Sequence, residues 1–233
     1  MKISGLQKLT LLDYPGHTAC TVFTSSCNFR CPFCHNASLV ENRAVGEISE
    51  EEFFAFLAKR HGILEGVAIT GGEPTLQTDL ADFIEKVHGE GFKVKLDSNG
   101  YRPETLREIL SSGNVDYVAM DIKSSPENYA KAAGIRRLDV SLIERSIDII
   151  KSSGVGYEFR TTAVKGIHTP GDFLAIGKWL GDVPAYFIQK FTDSGDVLGE
   201  GYSAFSDEEM TSLLAMARIH IKSAALRGVD IDD

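Results

Sequence analysis

The stretch Thr18–Asn36, TACTVFTSSCNFRCPFCHN, sets a β-branched and apolar run directly against three cysteines packed into eight positions. Thr18–Thr24 reads as a strand, and Cys27, Cys31 and Cys34 fall just past its carboxyl end. The same arrangement recurs downstream in GVAITGG (Gly66–Gly72), KVKLDSNG (Lys93–Gly100), YVAMDIK (Tyr117–Lys123), YEFRTTAV (Tyr157–Val164) and AYFIQKF (Ala185–Phe191). These runs end in polar or glycine residues, and amphipathic stretches lie between them.

Those stretches predict helices. Ser49 with Glu52 makes a capping box ahead of Phe53, Phe56 and Leu57. Asp79–Glu90 carries Leu80, Phe83, Ile84 and Val87 on one face, and Pro103–Ser112 opens on proline and stops at Gly113. Leu138–Ser153 and Thr169–Leu180 follow, and Ser206–Leu226 is expected as a closing helix with Leu213, Leu214, Ala217 and Ile221 inward. Six strands alternating with helices imply parallel pairing through right-handed crossovers. The fold is α/β in one domain, 1–233. It is either a partial, open (β/α)6 TIM-like barrel or a doubly wound sheet, and ligands bind at the carboxyl ends of the strands in both.

Composition narrows the function. The chain has 233 residues, 43% of them hydrophobic, enough for a full-sized core, and a net charge of −9. No basic run marks a nucleic-acid footprint, so a nucleic-acid partner is not expected. No stretch of membrane-spanning length and no signal peptide is legible, so a cytoplasmic protein with no membrane partner is expected. Four cysteines in a reducing compartment, clustered unevenly, point to a metal or catalytic site.

The cysteine cluster admits several chemistries. Structural zinc asks for four ligands. His35 is adjacent to Cys34, which makes a shared small ion awkward, and Cys20 lies in mid-strand and reads as core. A redox pair in Cys31-Pro32-Phe33-Cys34 leaves Cys27 without a role. A cubane iron–sulfur cluster on three cysteines, with its fourth iron open to an outside ligand, fits the count better.

The spacing Cys27-x3-Cys31-x-Phe33-Cys34 resembles the signature of the radical S-adenosylmethionine (radical SAM) enzymes. Leu12–Gly16 (LDYPG) and Cys34–Asn36 (CHN) resemble the glycyl-radical-enzyme activases, above all those of oxygen-independent ribonucleoside-triphosphate reductase. The likeness is strongest before residue 125 and weak in the C-terminal third. It implies the partial, open barrel and a [4Fe–4S] cluster on Cys27, Cys31 and Cys34. It also implies reductive cleavage of SAM and a glycyl radical formed on a partner enzyme. The partner implied is anaerobic ribonucleoside-triphosphate reductase, with pyruvate formate-lyase or a similar glycyl radical enzyme as the alternative. The electron donor implied is a low-potential carrier such as flavodoxin or ferredoxin. A radical SAM enzyme of small-molecule specificity and, outside the class, a zinc-binding interaction module remain competing readings.

The resemblance also assigns the other strand ends. Phe33 belongs to the cluster motif, and Gly71-Gly72-Glu73 matches the segment that holds the SAM amino group. Asp97, Ser98, Asp121 and Lys123 surround the SAM carboxylate and ribose, with Arg160 reaching the carboxylate. In some activases the corresponding aspartates also hold a monovalent cation. From the residues alone, the alternative is an Asp–Lys salt bridge across these neighbouring strand ends. Glu158 and Arg160 alternate onto one face and can pair. Gln189 and Lys190 stand near the expected substrate entrance. The resemblance leads to a glycine where Ser26 stands; if φ is positive there, serine is strained.

Overall fold

The computed structural model describes residues 1–43 and 46–229. Eight strands form one sheet in chain order: β1 (Gly5–Thr10), β2 (Ala19–Thr24), β3 (Gly66–Gly71), β4 (Lys93–Ser98), β5 (Tyr117–Asp121), β6 (Gly156–Ala163), β7 (Tyr186–Lys190) and β8 (Ala224–Arg227). Strands β2 to β8 run parallel, whereas β1 pairs antiparallel with β2. The ends β1 and β8 are the two edges, so the barrel stays open.

Among the described residues the α-helices are α1 (Ala37–Val40), α2 (Glu50–Ala58), α3 (Leu80–Gly89), α4 (Pro103–Ser111), α5 (Tyr129–Ala133), α6 (Val140–Ser152), α7 (Pro170–Leu180) and α8 (Asp207–Arg218). Among the described residues none of them is long and apolar enough to cross a membrane.

The predicted six strands are β2 to β7. Strand alternation gives each of them two unlike faces. Cys20, Val22, Val67, Ile69, Val94, Leu96, Val118, Met120, Phe159 and Ile188 join the helix faces in one buried apolar cluster. The intervening positions, Thr21, Lys95, Asp97, Glu158, Arg160 and Thr162 among them, form a polar interior. The helices start where capping dictates: Ser49, Thr169 and Ser206 each complete a capping box.

Two edges depart from the sequence reading. Strand β1 was not anticipated, because GLQKLT is half polar and only Thr10 in it is buried. The expected helix Ser206–Leu226 is too long. Helix α8 ends at Arg218, and Ala224–Arg227 instead pairs in parallel with β7, Tyr186 opposite Ala224 and Gln189 opposite Arg227. Ile221 is buried as anticipated, but it lies in the turn after the helix. A backbone ladder outweighs the continuation of the apolar period here.

Candidate functional site

A cavity of about 310 Å³ lies where the strands end. Its walls include Cys27, Cys31, Phe33, Cys34, Gly71, Gly72, Glu73, Asp97, Ser98, Asp121, Lys123 and Arg160, so the topology brings these twelve residues to one place. His35 and Gln189 also line it. Lys190 does not; its ammonium turns away to Asp207, 2.5 Å off. Cys20 is fully buried on the helix-facing side of β2, as its mid-strand position predicts.

The cysteine loop is tied on three sides. Glu73 N–H donates to the Ser26 carbonyl at 2.8 Å, and Gly72 N–H donates to the Thr24 carbonyl at 2.8 Å. This approach explains the two glycines. A Cβ on Gly72 would lie 1.9 Å from the Ser26 oxygen, and one on Gly71, where φ is +123°, would lie 2.3 Å from the Thr24 backbone. The nearest demand for space at both glycines comes from the protein's own loop. On a second side, Arg30 N–H donates to Ala133 at 2.9 Å, and Gly134 leaves space for the Arg30 carbonyl. On the third, Gly199 N–H donates to Pro32 at 2.7 Å and Leu198 N–H to Cys34 at 3.2 Å. Asp196 completes that side by accepting from Ser38 N–H and hydroxyl at 3.0 and 2.7 Å.

Glu73 is buried and fully engaged. Its carboxylate accepts from Thr75 N–H and hydroxyl, from the Ser98 hydroxyl at 2.9 Å and from Asn99 N–H at 2.7 Å. Burial pushes its carboxyl up, and the hydrogen bonds from Thr75, Asn99 and Ser98 oppose that. Glu73 and Ser98 therefore bind the end of β3 to the end of β4. Asn99, missed in the sequence, extends the link. Its side-chain N–H donates to Asn28 at 2.7 Å and reaches the Cys27 sulfur at 3.7 Å.

The floor is a charge network. Asp97 pairs with Lys95 on the same strand and with Arg160 at 3.1 Å. Asp121 pairs with Lys123 and Arg160, both at 3.0 Å. Burial pushes both carboxyls up, but the facing cations outweigh it and hold them below the usual carboxylate range. The expected Asp–Lys bridge across neighbouring strand ends is replaced: Lys123 pairs with Asp121 and Lys95, which the sequence reading left unassigned, with Asp97, each within its own segment, and Arg160 makes the links between strands. Glu158 takes a bidentate pair from Arg227 on β8 at 2.8 Å, while Arg160 stands 3.9 Å away. Glu158 and Arg160 do share a face, yet the closer partner comes from the strand that was not foreseen.

The three thiols fit an iron–sulfur cluster. All are free and line the same cavity. They supply three sulfur donors, the ligand type that iron–sulfur clusters take, on one loop at the strand ends. Burial pushes the Cys27 thiol to about 11 and the Cys31 thiol to about 12, with Lys123 pulling both back. Ligation requires thiolates, so loading these positions releases protons.

The radical SAM superfamily model matches residues 21–180. The chain belongs to the radical SAM superfamily. A relative from Methanocaldococcus jannaschii, provisionally named a glycyl-radical enzyme activating enzyme, is 31% identical over 98% of this chain and 96% of its own. A provisionally named GTP 3',8-cyclase from Thermococcus kodakarensis is 29% identical, over 62% of this chain and 47% of its own. Among solved structures, a radical SAM methyltransferase from Sphaerobacter thermophilus superposes with a TM-score of 0.73 over 94% of this chain and 68% of its own, at 15% identity. That likeness is one of fold. Membership in the radical SAM superfamily implies a [4Fe–4S] cluster and SAM.

Proposed function

We propose that this chain is a glycyl-radical-enzyme activase, with anaerobic ribonucleoside-triphosphate reductase as its protein substrate and a reduced flavodoxin or ferredoxin as electron source. The observation that carries this reading is the similarity to the Methanocaldococcus relative along almost the whole of both chains. When bound on Cys27, Cys31 and Cys34, the cluster supplies the electron that breaks a C–S bond of SAM and so starts abstraction of a hydrogen atom from the partner's glycine.

The chain's own residues place the reactants. The Gly71–Glu73 turn receives the SAM amino group, with Glu73 holding the turn from behind through its bonds to Ser98 and Asn99. Around Asp97 and Asp121, three cationic side chains face two carboxylates, so the floor keeps one positive charge in excess. That excess suits the SAM carboxylate, for which Arg160 and Lys123 on the cavity wall are donors. Phe33 packs edge-on against buried His168 at 5.9 Å and keeps water from that side of the cluster loop. β1 and β8 are not paired with one another, and the side left open between them is where a loop of the partner enters.

The test is anaerobic reconstitution followed by reduction with SAM and candidate partners. A glycyl radical seen by EPR on the ribonucleotide reductase is the expected result, and SAM cleavage is expected to vanish in Cys27→Ala, Cys31→Ala and Cys34→Ala but persist in Cys20→Ala. The partial similarity to the cyclase favours a second reading, a radical SAM enzyme acting on a small molecule. Brisk SAM cleavage with no radical on that reductase, on pyruvate formate-lyase or on a related enzyme decides for it.

A further inference from the structure

The two aspartates at the cavity floor have no unclaimed oxygen. Asp97 Oδ1 faces the Lys95 ammonium and Asp97 Oδ2 the Arg160 guanidinium at 3.1 Å. Asp121 Oδ1 takes the Arg160 Nε–H at 3.0 Å and Asp121 Oδ2 the Lys123 ammonium at 3.0 Å. A sodium or potassium ion at this pair would have to displace one of these nitrogens or sit as a fourth positive charge against two negative ones. Both are unfavourable here, where Lys95 is 1% and Asp97 and Arg160 each 14% exposed and charges of one sign repel. The donor set therefore does not fit the monovalent cation that the sequence resemblance brings with it.

Lys95 is the residue that makes the difference. It lies in mid-strand, opposite Ala68 of β3 and Tyr117 of β5, and its side chain is 1% exposed. A lysine so placed is costly unless its charge is matched, and Asp97, two residues on and facing the same interior, is the group that matches it. We infer that Lys95, together with Arg160 and Lys123, takes the place of a monovalent cation, so that the SAM-binding end of this barrel works without a bound sodium or potassium ion. The inference rests on the reading of this floor as the SAM site, but the ion itself can be looked for without SAM.

The experiment uses the full-length, reconstituted chain in sodium, potassium and choline chloride at equal ionic strength. Sodium-23 NMR relaxation reads ion binding directly, and equilibrium dialysis reads SAM affinity. The wild type is expected to show no saturable sodium binding and a SAM Kd that stays within about twofold across the three salts. Lys95→Met, which frees Asp97 Oδ1 without adding a charge, is expected to weaken SAM about tenfold in choline and to recover in sodium or potassium. Lys95→Arg is expected to remain indifferent to the ion. Saturable sodium binding by the wild type overturns the inference. So does a folded Lys95→Met chain whose SAM affinity ignores the salt, because Lys95 would then be an ordinary structural pair. If the wild type binds no SAM at all, the functional reading fails while the sodium arm still decides this one; if Lys95→Met does not fold, the wild-type arms decide alone.

Discussion

Ser26 has φ 69° at the head of the cysteine loop, in the left-handed region where an L side chain crowds its own backbone. Its N–H donates to Leu39, its carbonyl accepts from Glu73, and its hydroxyl donates to Asn42 at 2.9 Å. The backbone bonds need this conformation; the side chain does not. Ser26→Gly is expected to stabilise the fold by ~1 kcal/mol, read as a higher urea midpoint. A lower midpoint would mean that the Asn42 bond outweighs the strain. This strain was foreseeable from the departure at one position, because the conformational demand is local. The roles of Gly72 and Glu73 were only half legible. Their positions on the cavity wall followed from the strand ending, but the atoms they meet, the Ser26 carbonyl, Ser98 and Asn99, arrive from other elements. A linear pattern does not carry that.

At the scale of elements, the six strands from β2 to β7 could be read because each is a buried run with a polar or glycine stop. The edge strand β8 could not, since AALR extends the apolar period of the helix before it. Yet β8 matters to the floor. It carries Arg227, whose guanidinium stacks 3.4 Å from the Phe187 ring centre and forms the double hydrogen bond to Glu158, a carboxylate only 1% exposed. Removing one partner of a buried pair leaves the other unpaired. Arg227→Met is expected to cost ~3 kcal/mol, the low end for such pairs because the arginine keeps some solvent contact. Chemical denaturation measures it, and a cost below ~1 kcal/mol would show the pair to behave as a surface bridge. Lys95, Asp97, Arg160, Glu158 and Arg227 also explain why the floor was incompletely foreseen. The residue types were visible, but the pairing follows the register of five strands.

For the whole molecule, acid stability is the property most open to test. Asp172 caps α7 through Thr169 and accepts from Ser125 at 2.6 Å and Asn128 at 2.7 Å in the segment after β5. Burial opposes its ionisation, but those bonds prevail and hold it at about 2 against an ordinary 3.8. Its folded value lies below the unfolded one, so the unfolded chain takes up the proton first as pH falls. The stabilisation is complete above about pH 4 and is lost towards pH 2, about 2 kcal/mol in all. Asp97 and Asp121, also held low, steepen the same decline, whereas Glu73, held high, opposes it. Urea unfolding of Asp172→Asn across that range is expected to be flatter than wild type; an unchanged slope would assign the acid loss elsewhere.

The overall plan, an open parallel barrel with its chemistry at the strand ends, was readable because alternation and punctuation repeat along the chain. The brace from residues 194–199 was not, since nothing in SGDVLG announces that its backbone grips Pro32, Cys34 and Ala37. That brace carries a consequence for biosynthesis. A nascent chain exposes its three sulfurs early, and some 160 further residues must leave the ribosome before Asp196 can clasp Ser38. During that interval the thiols sit on a loop lacking one of its three supports, and the loop reaches its final shape only once residues 194–199 have emerged.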